Sequence, residues 1–170
     1  MYSPTARKPI FPCMSLFPLP SFLKGRVSAA QYEKWLNRRA VGLRSKDRER
    51  KRPYAFKSSI AIYKALIHLA VVNSGKYDPY TGEKLKWELI GTWVGARRKS
   101  SETPPEMFEG EYALMPTIDH RDPDALDFEI CSWRVNSCKN FLTPEQFIDL
   151  CGRVAGHRLK GRRGRKPPRV

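Results

Sequence analysis

The stretch that decides the fold is residues 112–140, which read YALMPTIDHRDPDALDFEICSWRVNSCKN. A mainly apolar run over 112–118 leads as a strand into Asp119 and His120, and residues 128–132 alternate well enough to form a second strand. Residues 132–139 then predict a short helix. The sequence therefore predicts an α+β protein in which two strands and a helix follow one another along the chain.

Three side chains of this stretch suit the hydrolysis of a phosphodiester bond. A histidine such as His120 is suited to accept a proton from water. Asp119 and Asn136 can hold a divalent cation through oxygen atoms, and oxygen ligands favour Mg²⁺ or Mn²⁺ over zinc. Asn136 follows His120 by sixteen residues, which is compatible with a phosphodiesterase site that uses one metal ion.

These residues resemble the motif of the HNH endonucleases, the ββα-metal or His-Me finger family. Asp119-His120 matches the first element of that motif, and Asn136 followed by Lys139 matches the last. The middle position usually carries Asn and is filled here by Asp127, which can cap the same loop backbone and is counted with the catalytic residues. We expect Lys139 to bind the phosphate or brace the site; a plain surface lysine is the alternative.

The resemblance extends upstream of the motif. Residues 77–90 contain a Thr-Gly-Glu turn similar to one in some bacterial HNH proteins, so the resemblance covers roughly residues 77–155. It implies a ββα-metal finger packed against the N-terminal helices, with His120 as general base and Asp119 and Asn136 as metal ligands.

The chain carries a large excess of positive charge. Lys and Arg outnumber Asp and Glu by 32 to 17, which gives a formal net charge of +15. We therefore expect a polyanionic partner: DNA, with RNA also possible, because backbone neutralisation does not distinguish the two polymers. The candidate nucleic-acid contacts are Arg38, Arg39, Arg44 and Arg48 in a helix, Arg97, Arg98 and Lys99 in a loop, and Arg162 and Arg163 in the tail. A merely solvated charged surface is the alternative for the helix and the loop.

Capping signals predict the first two helices. Ser28 to Gln31 forms a capping box, so a helix should begin near residue 29, and Pro53 should end it. A second helix over 58–73 is apolar on more than one face and is expected to be central and buried. Its histidine, His68, is expected to be a structural group.

A third helix starts at Thr143-Pro144 with a second capping box and is expected to end at Gly156. The basic tail that follows is expected to be disordered when free, because its composition cannot bury a core. The residues expected on the inner side of this helix are Phe147, Ile148, Leu150, Cys151 and Val154.

The sequence therefore divides into four regions. Residues 1–27 form a Pro-rich arm that lays aromatic side chains on the core, and residues 28–76 form a helical, basic region that contacts DNA. Residues 77–156 form the nuclease core, and residues 157–170 form the basic tail.

Composition also argues against several classes. No segment has the eighteen or more apolar residues of a membrane span, and the prolines at 12, 18 and 20 interrupt any signal-peptide helix. The four cysteines form no Cys-x-x-Cys pair, so a structural zinc site is not expected. Cys131 and Cys138 are expected to be free thiols that line the core, which suits a reducing cytoplasm.

Two other functions stay open. A non-catalytic nucleic-acid-binding protein would use the same basic helix and tail, and a ribosome-associated or structural basic protein would use the tails. Asp119 and His120 would then be a buried, hydrogen-bonded pair without chemistry. Cleavage specificity, nicking against double-strand cutting and the oligomeric state cannot be inferred from these residues.

Overall fold

The protein is described from a computed structural model that defines residues 16–92, 110 and 112–163, the last four by their backbone alone. This part of the chain contains five α-helices, two short 3₁₀ turns and one two-stranded antiparallel sheet. The predicted α+β class is confirmed.

The sheet is a hairpin of β1, Pro116–Asp122, and β2, Asp127–Ser132. Helix α4, Trp133–Lys139, begins directly after β2, because the Ser132 hydroxyl accepts a hydrogen bond from the backbone N–H of Val135 and so caps the helix. α4 packs against both strands. The two strands and the short helix expected from the sequence are all present.

The two faces of the hairpin carry different chemistry. His120 pairs across the strands with Phe128, and Asp119 pairs with Glu129. Because side chains alternate along a strand, His120 and Phe128 lie on the face that packs against the helices that come earlier in the chain. Asp119 and Glu129 lie on the opposite face.

The turn at residues 78–83 is tied to the start of α4 through Asp78. This buried carboxylate accepts hydrogen bonds from the backbone N–H groups of Tyr80 at 2.8 Å, Thr81 at 3.0 Å and Ser132 at 2.5 Å. Gly82 takes the left-handed conformation that the turn requires, with φ at +69°. The predicted turn is confirmed, and it fixes the junction between β2 and α4.

Within residues 16–92, three α-helices precede the hairpin: α1, Ala29–Glu49; α2, Pro53–Lys57; and α3, Ile60–Ser74. The capping box between Ser28 and Gln31 is present at the start of α1. Both expected helices are confirmed, with α3 beginning at Ile60 rather than at residue 58. Helix α2 was not expected; its proline occupies the first helical turn, where no backbone N–H is needed.

The expectation that α3 is central and buried holds for one side of the helix, where Tyr63, Ile67 and Val71 are buried. α3 packs on α1 and on β2, and the exposed fractions of Leu69 and Val72 on its outer side are 53% and 50%. His68 has the structural role expected for it, because its Nδ1 lies 2.8 Å from the hydroxyl of Tyr32.

The core draws on the N-terminal arm, α1, α3, residues 85–90 and both strands. Its largest fully buried side chains include Trp35 of α1 and Trp87 of the 3₁₀ turn Trp87–Leu89. Phe22 of the arm packs edge-on against Trp87, with ring centroids 5.2 Å apart, and Leu23 is fully buried. The arm therefore does lay apolar side chains on the core in the residues that are described.

The last helix, α5, spans Pro144–Arg163 and starts at the predicted capping box of Thr143 and Gln146. The expected end at Gly156 is wrong, and with it the expectation of disorder for 157–163, because the helix continues through these residues. A helical glycine costs only about 0.5–1 kcal/mol relative to alanine, and the cations that follow suit a helix C-terminus. Residues 164–170 lie outside the described ranges.

The expected inner side of α5 is also wrong in most of its members. Ile148, Leu150, Cys151 and Val154 are exposed, and Phe147 is partly buried against the ring of Tyr80, with centroids 5.9 Å apart. The spacing of apolar residues predicts a helix but does not supply a partner for its face.

The chain contains no helix with the length and apolar character of a membrane span in the ranges described.

Candidate active site

The carboxylate of Asp47, in the last turn of α1, holds the imidazole of His120. His120 Nε2 lies 3.0 Å from Asp47 Oδ2, and 73 residues separate the two in sequence. Asp47 is fully buried and the exposed fraction of His120 is 8%. Because Nε2 faces a carboxylate, this nitrogen carries the proton, and Nδ1 is the nitrogen that is left for proton transfer.

Two further donors fix Asp47. The Tyr63 hydroxyl donates to Oδ2 and Arg52 Nη1 donates to Oδ1, each at 2.9 Å. Burial raises the pKa of Asp47, but the hydrogen bonds and charges of His120, Tyr63 and Arg52 outweigh burial and lower that pKa below its ordinary value. Burial and the bond to Asp47 raise the pKa of the Tyr63 hydroxyl, so it stays a donor. The carboxylate beside His120 is therefore ionised at neutral pH.

Asp119 and Lys139 form a buried ion pair on the other face of β1. Lys139 Nζ lies 2.9 Å from Asp119 Oδ2 and donates to the backbone carbonyl of His120 at 3.1 Å. The exposed fraction of Lys139 is 1%, so the surface-lysine alternative is wrong and Lys139 braces the strand. The hydrogen-bonded Asp119–His120 pair considered from sequence is also absent, because each of these residues has a different partner.

The contact between Lys139 and Asp119 lacks hydrogen-bonding alignment. Asp119 Oδ2 receives no aligned hydrogen bond from any residue that the structure describes, although the ammonium is at ion-pair distance. We treat the contact as an ion pair, since charge attraction needs no alignment. Oδ2 is itself buried, so a cation would reach this oxygen only by taking the place of the Lys139 ammonium.

The acidic side chains on the face that carries Asp119 act on one another through their charges. Burial raises the pKa of Glu129, and the charge of Asp119 raises it further against the opposing hydrogen bond from Tyr80. Burial, together with the charges of Asp119, Asp78 and Glu129, raises the pKa of the Cys131 thiol. The charges of Lys139 and Arg121 act in the opposite direction and lower the pKa of Glu129, so this face carries both signs of charge.

Helix α4 places Asn136 one turn before Lys139, along the same strand. Asn136 Nδ2 donates to the backbone carbonyl of Ile118 at 3.2 Å and lies 3.5 Å from Thr117 Oγ1. Both contacts use the amide nitrogen, so Oδ1 takes part in neither of them. The contact of β1 with α4 thus gathers the side chains of three predicted site residues, Asp119, Asn136 and Lys139, and the backbone carbonyl of His120. The imidazole of His120 lies on the other face of the hairpin, against Asp47.

The donors at this contact fit a hard divalent cation. Asp119 Oδ2 and Asn136 Oδ1 are oxygen atoms, and Mg²⁺ is commonly held by one or two protein oxygens with water in its other positions. Within 16–92, 110 and 112–163, no three His, Cys, Asp or Glu side chains converge as a metal site. A cation here would therefore depend on Asp119, Asn136 and water.

Asp127 is placed apart from this group. It is the first residue of β2, its side chain is about half exposed, and it lies 3.4 Å from Arg121 Nη1. The turn between the strands is held by Asp122 instead, whose Oδ1 accepts a hydrogen bond from the backbone N–H of Asp124 at 2.8 Å. The loop-capping role expected of Asp127 therefore belongs to Asp122.

The candidate nucleic-acid contacts on α1 divide into two pairs. Arg38 and Arg39 line a cleft that also reaches Asn136. Arg44 and Arg48 donate through Nε to backbone carbonyls in and just after α2, at 2.8 and 3.3 Å, so both help to hold α2 in place. Only the first pair adjoins the candidate site.

The remaining candidate contacts lie elsewhere in the chain. Arg162 and Arg163 are the last two residues of α5. Arg97, Arg98 and Lys99 lie outside the described residues.

Two acidic residues of the site were not predicted. Asp47 has one signal in the sequence: it continues the helical spacing of the buried residues Leu36 and Ala40, and an acid on the apolar side of a helix needs a buried partner. Glu129 has no such signal in the sequence, because its place beside Asp119 depends on the register of the two strands.

Comparison with models of protein families, with curated proteins and with solved structures found no match.

Proposed function

We propose that the protein is a metal-dependent endonuclease of the HNH type that hydrolyses phosphodiester bonds in DNA. The observation that carries the proposal is the ionised, buried Asp47 that holds His120 by one ring nitrogen. Asp119 precedes His120 in β1, and α4 brings Asn136 and Lys139 to the same strand. On the other face of the strand, Lys139 pairs with Asp119 and donates to the backbone carbonyl of His120, so the segment that carries the histidine is held from both sides.

Proton transfer falls to His120. Its Nδ1 accepts the proton of the attacking water, while Nε2–H stays bonded to Asp47. Asp47 keeps the ring in one orientation and one tautomer, and its negative charge stabilises the imidazolium that forms. Tyr63 and Arg52 keep Asp47 in place and ionised, so the whole assembly is set before substrate arrives.

Asp119 and Asn136 would hold the divalent cation, Mg²⁺ or Mn²⁺. When bound, such an ion neutralises charge on the phosphate and assists the leaving oxygen. Lys139 orients the Asp119 carboxylate and supports the backbone of His120, so it couples the two halves of the site. Glu129, which pairs with Asp119 across the strands, adds a second acidic side chain to this face.

The net charge of +15 supports nucleic acid as the substrate. The experiment that tests the proposal incubates the purified protein with supercoiled plasmid in Mg²⁺, in Mn²⁺ and in excess EDTA, beside an Asp119→Ala variant purified in the same way. We expect nicked or linear DNA only with metal, and strongly reduced cleavage by the variant. Plasmid that is bound but never cut under any condition would favour the non-catalytic DNA-binding protein instead.

A further inference from the structure

A basic cleft runs between α1 and the edge formed by β1 and α4. Its volume is about 350 Å³, and the residues that matter here are Arg38, Arg39, Gly42, Lys46, Thr117 and Asn136. Ligand sites commonly have volumes of about 300–1,000 Å³, so the cleft has room for a nucleotide-sized group. It lies beside the candidate active site because Asn136 belongs to both.

Three basic residues make the α1 wall of the cleft cationic. Arg38, Arg39, Gly42 and Lys46 recur at helical spacing, so they share one side of α1, and the next residue after Lys46 is Asp47, the partner of His120. No carboxylate is found among the described residues that line the cleft. The α1 wall of the cleft thus carries positive charge along its length and ends one residue before the carboxylate that holds the proposed general base.

Arg39 carries an unused donor. Its Nε is buried and has no hydrogen-bond acceptor among the described residues. Burial and the charge of Arg38 both lower the pKa of Arg39, so an anion at this position would relieve both effects. A guanidinium binds phosphate oxygens through its fork of N–H donors, and charge-assisted bonds of this kind are the strong ones.

We propose that this cleft binds a backbone phosphodiester of the nucleic acid, with Arg39 as its principal donor and Lys46 and Arg38 as supporting charges. The inference rests on the proposed function and deepens it, since it states along which surface the substrate strand reaches His120. A phosphate in the cleft lies next to Asn136, so the neighbouring phosphodiester is presented to the proposed cation site.

Gly42 provides a test that does not disturb the fold. A Cβ at this position meets no atom within 4 Å, and the residue has ordinary helical geometry. A side chain placed there enters the cleft, and replacing a helical glycine favours the helix. Gly42→Glu adds bulk and negative charge, Gly42→Gln adds the bulk alone, and Gly42→Ala adds neither.

The measurement is the affinity of the full-length protein for a fluorescent DNA duplex in EDTA, where no cleavage interferes. We expect the affinity of Gly42→Ala to match the parent, that of Gly42→Gln to fall several-fold and that of Gly42→Glu to fall at least about tenfold, each with an unchanged or higher melting temperature. Arg39→Gln should bind more weakly and lower the salt slope by about one. Lys34→Gln removes an exposed cation of α1 that does not line the cleft, and it serves as the matched control.

A Gly42→Glu protein that is folded and binds DNA within twofold of the parent overturns the proposal, whatever Arg39→Gln does. A second arm uses inorganic phosphate at constant ionic strength. If phosphate raises the melting temperature of the parent but not of Arg39→Gln, while Gly42→Glu leaves DNA affinity unchanged, the cleft takes free phosphate and the nucleic-acid assignment is wrong.

These outcomes are separable from those of the proposed function. Weakened DNA binding by Gly42→Glu in a protein that never cuts plasmid supports the cleft and refutes the nuclease. Metal-dependent cutting together with unaltered binding by Gly42→Glu supports the nuclease and refutes the cleft.

Discussion

The Asp47→Asn variant tests whether His120 acts as a general base or is only a buried side chain. The amide has nearly the shape of the carboxylate, so no cavity forms. It has one acceptor oxygen, however, where the two oxygens of Asp47 serve three donors: His120 Nε2, the Tyr63 hydroxyl and Arg52 Nη1. The amide NH₂ group must therefore face at least one donor, which loses its acceptor.

The cost in stability follows from the burial of these groups. Removing one partner of a buried ion pair costs about 3–5 kcal/mol. Asp47 is fully buried, but the side chain of Arg52 keeps 11% of its surface exposed, so we expect the lower end of that range, about 3 kcal/mol of unfolding free energy. For a chain of this size that loss lowers the melting temperature by about 6–12 °C.

The cost in rate follows from the same contact. Without the carboxylate, the ring of His120 loses its fixed orientation and the neighbouring negative charge that stabilises the imidazolium. Loss of general-base function costs about 10²–10⁴-fold, and we expect the single-turnover cleavage rate to fall by at least about 100-fold. DNA affinity in EDTA should be unchanged, because Asp47 is out of reach of the duplex.

The assay combines thermal unfolding with single-turnover plasmid cleavage in Mg²⁺, at a temperature where both proteins are folded. Tyr63→Phe is the matched control: it removes one donor, keeps the carboxylate and should cost about 0.5–1.5 kcal/mol with cleavage near the parental rate. A folded Asp47→Asn protein that cuts at the parental rate refutes the reasoning. So does a Tyr63→Phe protein that loses as much activity as Asp47→Asn.

Four other outcomes are expected. Asp119→Ala and Asn136→Ala should slow cleavage in Mg²⁺ and be partly rescued by excess Mn²⁺, as rates measured across metal concentrations will show. Lys139→Gln removes the ammonium beside Asp119, so Mg²⁺ should raise its melting temperature more than that of the parent; an equal effect in both contradicts the cation site. Deleting residues 158–170 removes seven cations, so salt titrations should show weaker DNA binding with a shallower slope, while cleavage at saturating DNA persists. Because the pKa of Asp47 lies below its ordinary value, its stabilisation is present above the unfolded value of about 3.9 and is lost as the pH falls below it. Denaturant unfolding at several acidic pH values should show a steeper loss in the parent than in Asp47→Asn.

Local signals account for what could be predicted of the fold. The apolar alternation of β2 and the caps at Ser28 and Thr143 act within a few residues, and the elements that they predict are present. The predictions that failed concern which other element of the fold covers the apolar face of a helix. The spacing of Ile148 and Val154 is helical, but whether anything covers that face depends on the rest of the fold, and both are exposed.

The candidate site shows the same division. Asp119, His120, Asn136 and Lys139 lie within one local unit of structure, so a motif can identify them together. Asp47 reaches His120 only because α1 crosses β1, a tertiary contact between residues 73 positions apart. Because Asp47 lies in a strongly basic run, its sequence context suggests an exposed acid that balances neighbouring cations. Only its helical spacing from Leu36 and Ala40 indicates that it is buried.

The most direct test of the nuclease proposal compares His120→Ala with His68→Ala in single-turnover cleavage of supercoiled plasmid with Mg²⁺. His68 is a histidine of the same core whose partner is the Tyr32 hydroxyl, so its variant controls for the loss of a packed imidazole. We expect His120→Ala to lose about 10²–10⁴-fold in rate with DNA affinity nearly intact, and folded His68→Ala to cut at close to the parental rate. Cleavage by His120→Ala at the parental rate would contradict the assignment of His120 as the general base.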